Sequence, residues 1–273
     1  MKLGIENRNE VQAHIVTHQE LVCKEFGEDR VIGVFLYGSQ NYGLDTPTSD
    51  VDSCALILPT LEEIALNAAP CNATKELGNG DHIVCKDVRL WMNSLRKQGL
   101  PSLELMFTRW MLVNPDYAKT WVKLSKMREQ IAHYNYWRVI KNIYEQMKAR
   151  GRMAFDMTKI RREAVAPLDY DPKAVCYALY YGEFLNKYIS HKSFEECIKV
   201  DQPLRYQRIR AGWLNRNDAQ DFVKSALDTA NAKVEELDKE KLNQNADEVW
   251  TKVQELQVEF ITKSLQIQMK GDK

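Results

Sequence analysis

The sequence predicts an α+β fold in which a strand-bearing N-terminal domain precedes a helical C-terminal domain. Three observations carry this. Residues 31–37 and 51–58 are short apolar runs rich in β-branched and aromatic residues, bounded by Gly27, Gly38 and Pro59, as suits buried strands. They flank a polar loop that holds Gly38, Gly43, Asn41 and Pro47. From Pro101 to the end the apolar positions recur almost wholly at helical spacing. A chain of 273 residues exceeds the usual domain of about 100 to 200 residues, so two packed units are expected. The change of character places their boundary between 110 and 132, which assigns residues 1–125 to the first domain and 126–273 to the second.

Each element follows from local signals. Residues 8–27 carry Val11, Ile15, Val22 and Phe26 on one helical stripe, with Gly27 as the stop. The two strands come next, then a helix over 61–68, a loop over 70–80 and a third strand over 82–86. Asp87 is placed to cap a helix over 88–99. Further helices are expected near 101–108, 115–126, 133–150, 172–190, 217–236 and 246–269, separated by breaks at Gly151, Pro167, Pro172 and Pro203.

Composition narrows the class. Hydrophobic residues make up 44% and charged residues 28%, which excludes a mainly disordered chain. No run approaches the ~20 apolar residues of a membrane span, and the start lacks the apolar core of a signal peptide, so a cytoplasmic protein with no membrane partner is expected. The six cysteines show no CxxC pairing and sit mostly in apolar runs, as reduced core thiols do. The formal net charge is zero, so any polyanion site must be local.

The informative stretch runs from Gly38 to Asp52. Gly38 at a strand end permits a tight turn, so that amides around Ser39, with its hydroxyl, are expected to cradle phosphate oxygens. Asp50 and Asp52 are separated by one residue at a strand start, so both carboxylates project from one face while Val51 points inward. Paired carboxylates beside a triphosphate suit Mg²⁺, which takes one or two protein carboxylates plus phosphate oxygens.

This order of strand, Gly-Ser, glycine-containing loop, Ser-Asp-x-Asp and strand resembles the signature of the DNA polymerase β-like nucleotidyltransferase superfamily. More narrowly it resembles the branch of predicted bacterial and phage nucleotidyltransferases similar to YcgL and the RNA-repair-associated polymerase β-like proteins. Counterparts of that branch's later motifs are Asp81 to Lys86, Asp87-Val88-Arg89-Leu90-Trp91, the segment Leu100 to Phe107, and a helix beginning Asp171-Pro172. Two departures stand out: Leu100 replaces an Asn, and Tyr177 and Tyr180 occupy the helix that carries His and Arg in relatives. The resemblance implies a mixed, largely antiparallel sheet with flanking helices. It also implies three carboxylates holding two Mg²⁺ (or Mn²⁺) ions, with NMP transfer from a nucleoside triphosphate to a hydroxyl acceptor, an RNA or tRNA end foremost. Asp81 and Asp87 compete for the third carboxylate, and Asp81 fits the branch pattern better, which makes Asp50, Asp52 and Asp81 the catalytic and metal-binding set.

Four further features stand outside that pattern. His14 and His18 form an i, i+4 pair that lacks a recognisable third metal ligand in sequence. His82 lies near the expected active edge. A basic run from Arg138 to Arg162, interleaved with Tyr134, Tyr136, Trp137 and Tyr144, suits either a nucleic-acid backbone with stacked bases or a solvated helix face over an aromatic core. Arg205, Arg208 and Arg210 near Trp213 form a weaker candidate of the same kind.

Overall fold

The computed structural model describes residues 8–46, 49–158 and 168–271. The chain divides into two compact units, one of residues 1–41, 47–134 and 246–273 and the other of residues 42–46 and 135–245.

The first unit is built on a five-stranded mixed sheet of order β3-β4-β2-β1-β5, comprising β1 (Val31–Tyr37), β2 (Asp52–Ile57), β3 (Asn72–Glu76), β4 (His82–Asp87) and β5 (Met111–Val113). β2 and β4 run parallel and the other three pairings are antiparallel, as the resemblance implied. Strand alternation gives the sheet two differently covered faces. Val34 and Leu36 of β1, Ala55 and Ile57 of β2, and Ile83 and Cys85 of β4 pack with Val11, Ile15 and Val22 of α1 (Arg8–Phe26). On the other face Phe35 meets Trp121 of α5 (Pro115–Ser125), with ring centroids 4.4 Å apart. Trp121 in turn stacks on Trp91 of α3 (Val88–Arg96). The small helices α2 (Leu61–Ala65), α4 (Leu100–Glu104) and α6 (Arg128–Ala132) complete this part of the chain.

Two strands were not foreseen. β3 reads Asn-Ala-Thr-Lys-Glu, an exposed edge strand without an apolar face, and its pairing with β4 rather than its own pattern makes it a strand. β5 has three residues, too few to show a period, and forms by pairing with Gly33 to Phe35.

The second unit centres on α7 (Tyr136–Phe155) packed on α8 (Pro172–Ile189). The helices α9 (Phe194–Ile198), α10 (Pro203–Arg210) and α11 (Arg216–Glu235) pack on α8 in turn, and α12 (Lys239–Leu242) packs on α7. Gly151 does not break α7. It is buried, and a Cβ there would meet Val223 and Leu227 of α11 at 3.2 and 3.3 Å, so the glycine serves close helix approach. Tyr180 is buried and stacks on Tyr42 with ring centroids 5.1 Å apart. The expected break at Pro167 lies outside the described residues.

The single boundary expected near residue 125 therefore needs correction. The last helix, α13 (Asp247–Gly271), returns to the first unit. Its Phe260 packs on Tyr117 with ring centroids 6.2 Å apart, and its Glu259 accepts from Thr120 and Lys123. An amphipathic helix at the chain end carries no sign of which core it covers. If α13 closes this core, Phe260→Ala will lower the stability of the unit that contains the sheet by about 3–5 kcal/mol in chemical denaturation.

Candidate functional site

Antiparallel pairing of β1 with β2 sets Tyr37 opposite Asp52. The chain leaves β1 through Gly38 at φ 95°, a conformation that L side chains rarely adopt, and enters a short 3₁₀ turn, Ser39–Asn41. A Cβ on Gly38 would lie 3.6 Å from Asp52 Oδ2, so the bare glycine leaves open the space beside that carboxylate. Asn41 fixes the turn by donating to Leu36 O at 3.0 Å and accepting from Thr108 Oγ1 at 2.8 Å. Gln40 Nε2 donates to Asp50 O at 3.1 Å, which ties the turn to the residue that opens the acidic pair. Asp50 is exposed and lies against the β3–β4 turn, where a Cβ on Gly80 would be 3.1 Å from its Oδ1. The Gly-Ser turn and the Asp-x-Asp pair thus meet at one end of the sheet.

His82, at the start of β4, brings Nδ1 to 3.1 Å from Asp52 Oδ1. Along β4 the residues on this face are His82, Val84 and Lys86, all partly exposed. Asp81 and Asp87 fall on the opposite parity, with the core residues Ile83 and Cys85.

Asp81 is accordingly buried on the α1 side. Its Oδ1 accepts from Val51 N–H at 2.8 Å. Its Oδ2 meets His14 Nδ1 at 2.5 Å, Asn79 Nδ2 at 2.9 Å and His18 Nε2 at 3.3 Å. His18 Nδ1 lies 2.9 Å from Ser53 Oγ. The residue expected to complete the acidic set therefore holds the backbone of that set from behind. Asp87 caps α3, accepting from Arg89 N–H at 2.7 Å and pairing with the Arg89 guanidinium at 2.7 and 3.0 Å. The sequence placed His82 near the active edge, and the structure adds its contact with Asp52. The i, i+4 spacing of His14 and His18 was visible, but their partner lies 60 residues or more along the chain.

The other candidates belong to the second unit, except Tyr134. Arg138, Lys141 and Arg152 are exposed on α7, whereas Lys148 pairs with Glu145 at 2.6 Å and lies over Tyr144. Lys159, Arg161 and Arg162 lie outside the described residues. The aromatic rings interleaved with this run are engaged within the protein. Tyr134 packs on Trp250, Tyr136 stacks on Tyr188, Trp137 lies under Lys239 and Tyr144 donates to Asn231. Of the weaker arginine group, Arg210 donates to Leu44 O at 2.5 Å, Arg205 lies over Phe222, and Arg208 is exposed, as is Trp213.

No helix among the described residues is long and apolar enough to cross a membrane. No protein-family model matches the chain, and no curated protein matches it. Among solved structures, similarity extends to a nucleotidyltransferase-like protein from Exiguobacterium sibiricum 255-15, at 12% identity and a TM-score of 0.31 over 83% of this chain and 74% of that one. A superposition that loose assigns neither residues nor activity.

The His18–Asp81 arrangement has a consequence for stability. Burial holds the His18 pKa below its usual 6.5, with Asp81 opposing that shift only in part. Burial pushes Asp81 up, but hydrogen bonds from His14, Val51 N–H and Asn79 outweigh it and leave its pKa below 3.8. Both depressed groups stabilise the fold above their unfolded pKa values and lose that contribution as pH falls, because the unfolded chain takes up protons first. In chemical denaturation with EDTA present, wild type is expected to lose stability as pH is lowered below about 6.5, and His18→Gln is expected to flatten that dependence.

Proposed function

We propose that this chain is a divalent-metal-dependent nucleotidyltransferase that moves an NMP from a nucleoside triphosphate to a hydroxyl acceptor. The observation that carries the reading is the pairing of Tyr37 with Asp52, which sets a positive-φ glycine turn against one carboxylate of an Asp-x-Asp pair. Asp50 and Asp52 offer hard oxygen donors in an accessible position, and that donor chemistry fits Mg²⁺ with triphosphate oxygens filling the remaining positions. Because Asp81 faces α1, the set fits one ion held by Asp50 and Asp52 better than the two-ion arrangement first expected. Such an ion, when bound, offsets phosphate charge and lowers the pKa of an attacking hydroxyl.

The protein groups have separate tasks. Gly38 leaves room for a phosphate beside Asp52, and the Ser39 turn supplies amide and hydroxyl donors. His82 orients the Asp52 carboxylate through its 3.1 Å contact. The exposed Arg138, Lys141 and Arg152 of α7 support a polyanionic acceptor, an RNA or tRNA end before a protein hydroxyl. The displacement of Asp81 from the acidic pair favours one other reading, a protein that binds nucleotide without transferring it.

Incubation with each α-³²P-labelled NTP, Mg²⁺ and an RNA pool separates these readings on one gel. Label on RNA with wild type, abolished in Asp50→Ala/Asp52→Ala, is the expected result. Label on the protein itself moves the acceptor to protein hydroxyls, and nucleotide binding without label leaves the binding protein. In the first case His82→Gln is expected to slow transfer by about 10- to 100-fold while the fold is retained, checked by initial rates and circular dichroism.

A further inference from the structure

The His14–Asp81–His18 cluster is separate from the proposed nucleotide site and does not depend on that reading. His14 and His18 lie one turn apart on α1 and present ring nitrogens to the same carboxylate oxygen. The ligand atoms of the three residues lie within 4.8 Å of one another. Asp81 Oδ2 also receives Asn79 Nδ2, so three nitrogen atoms converge on one carboxylate oxygen. Two further polar atoms of these residues are already held. Asp81 Oδ1 is bonded by Val51 N–H and His18 Nδ1 by Ser53 Oγ, the outer contacts that orient ligands at metal centres. A metal-bound His18 would carry its proton on Nδ1, 2.9 Å from Ser53 Oγ, and offer the lone pair of Nε2 to the cation.

We propose that His14 Nδ1, His18 Nε2 and Asp81 Oδ2 form a binding site for a single zinc-class divalent ion. Bond lengths of about 2.0–2.2 Å in a tetrahedral site place neighbouring ligand atoms about 3.3 Å apart. The His18 Nε2 to Asp81 Oδ2 separation is 3.3 Å. The His14 to Asp81 contact of 2.5 Å must widen, which the His14 side chain, 37% exposed, is free to do by rotation. Two imidazoles and one carboxylate suit zinc or a neighbouring transition ion rather than magnesium. A three-residue set leaves a fourth position on the exposed His14 side for water. The bound ion would staple α1 to the start of β4, and through Asp81 Oδ1 it would fix the Val51 amide between Asp50 and Asp52.

The test uses the full chain. Protein loaded with Zn²⁺, desalted and assayed by elemental analysis is expected to retain close to one ion per chain and to unfold at a higher temperature than an EDTA-treated sample. Co²⁺ loading is expected to give the visible absorption of a four- or five-coordinate ion. His14→Ala and His14→Gln, both at a partly exposed position and checked for folding by circular dichroism, are expected to weaken affinity by at least about 100-fold, beyond the cost of losing an outer contact. Asp50→Ala/Asp52→Ala is expected to keep full metal content, which separates this site from the nucleotide site. Wild type that retains no Zn²⁺, equal retention in the His14 variants, or loss of Zn²⁺ in the Asp50/Asp52 variant would each overturn the proposal.

Discussion

The carboxylate of Asp81 joins three parts of the first unit that are far apart in sequence. One oxygen holds the Val51 amide where the chain enters β2, and the other faces two histidines of α1 and the side chain of Asn79 from the β3–β4 turn. A buried carboxylate without such partners would cost several kcal/mol. Here the partners are the helix, the strand entry and the turn, so satisfying the charge also sets where those three elements meet. The acidic pair sits on either side of the amide that Asp81 holds, and its placement follows from this junction.

The sheet keeps two kinds of chemistry apart by alternation. One face carries Asp81 and the apolar residues under α1. The end of the other presents Asp52 and His82, with the exposed Asp50 beside the hairpin turn. Because side chains alternate with a period of two, a one-residue slip of β4 along β2 would put Asp81 in the place of His82 beside Asp52. The parallel register that pairs Ser53 with Ile83 excludes that arrangement. Asp87 follows the same parity and has its own task as the cap of α3, with Arg89 compensating its charge.

The second unit shows how aromatic residues that look available in sequence are used in packing. Tyr136 and Tyr188, Tyr42 and Tyr180, and Tyr144 with Asn231 are internal contacts. Within this unit Tyr42 O accepts from Val200 N–H and Leu44 O from Arg210. Helical periodicity marks which positions are apolar but not which neighbour covers them.

What was legible in the sequence is what short-range physics controls. The apolar runs of β1 and β2, the Gly38 turn between them, the Asp-x-Asp spacing and the cap at Asp87 each depend on a few consecutive residues, and the structure contains all of them. The edge strand β3, the three-residue β5, the return of α13 to the first core and the turning of Asp81 toward α1 depend on partners distant along the chain. Side-chain type says that a carboxylate needs a cation or hydrogen-bond donors. Only the register of β4 and the docking of α1 decide that Asp81 meets His14 and His18, while Asp52 meets His82.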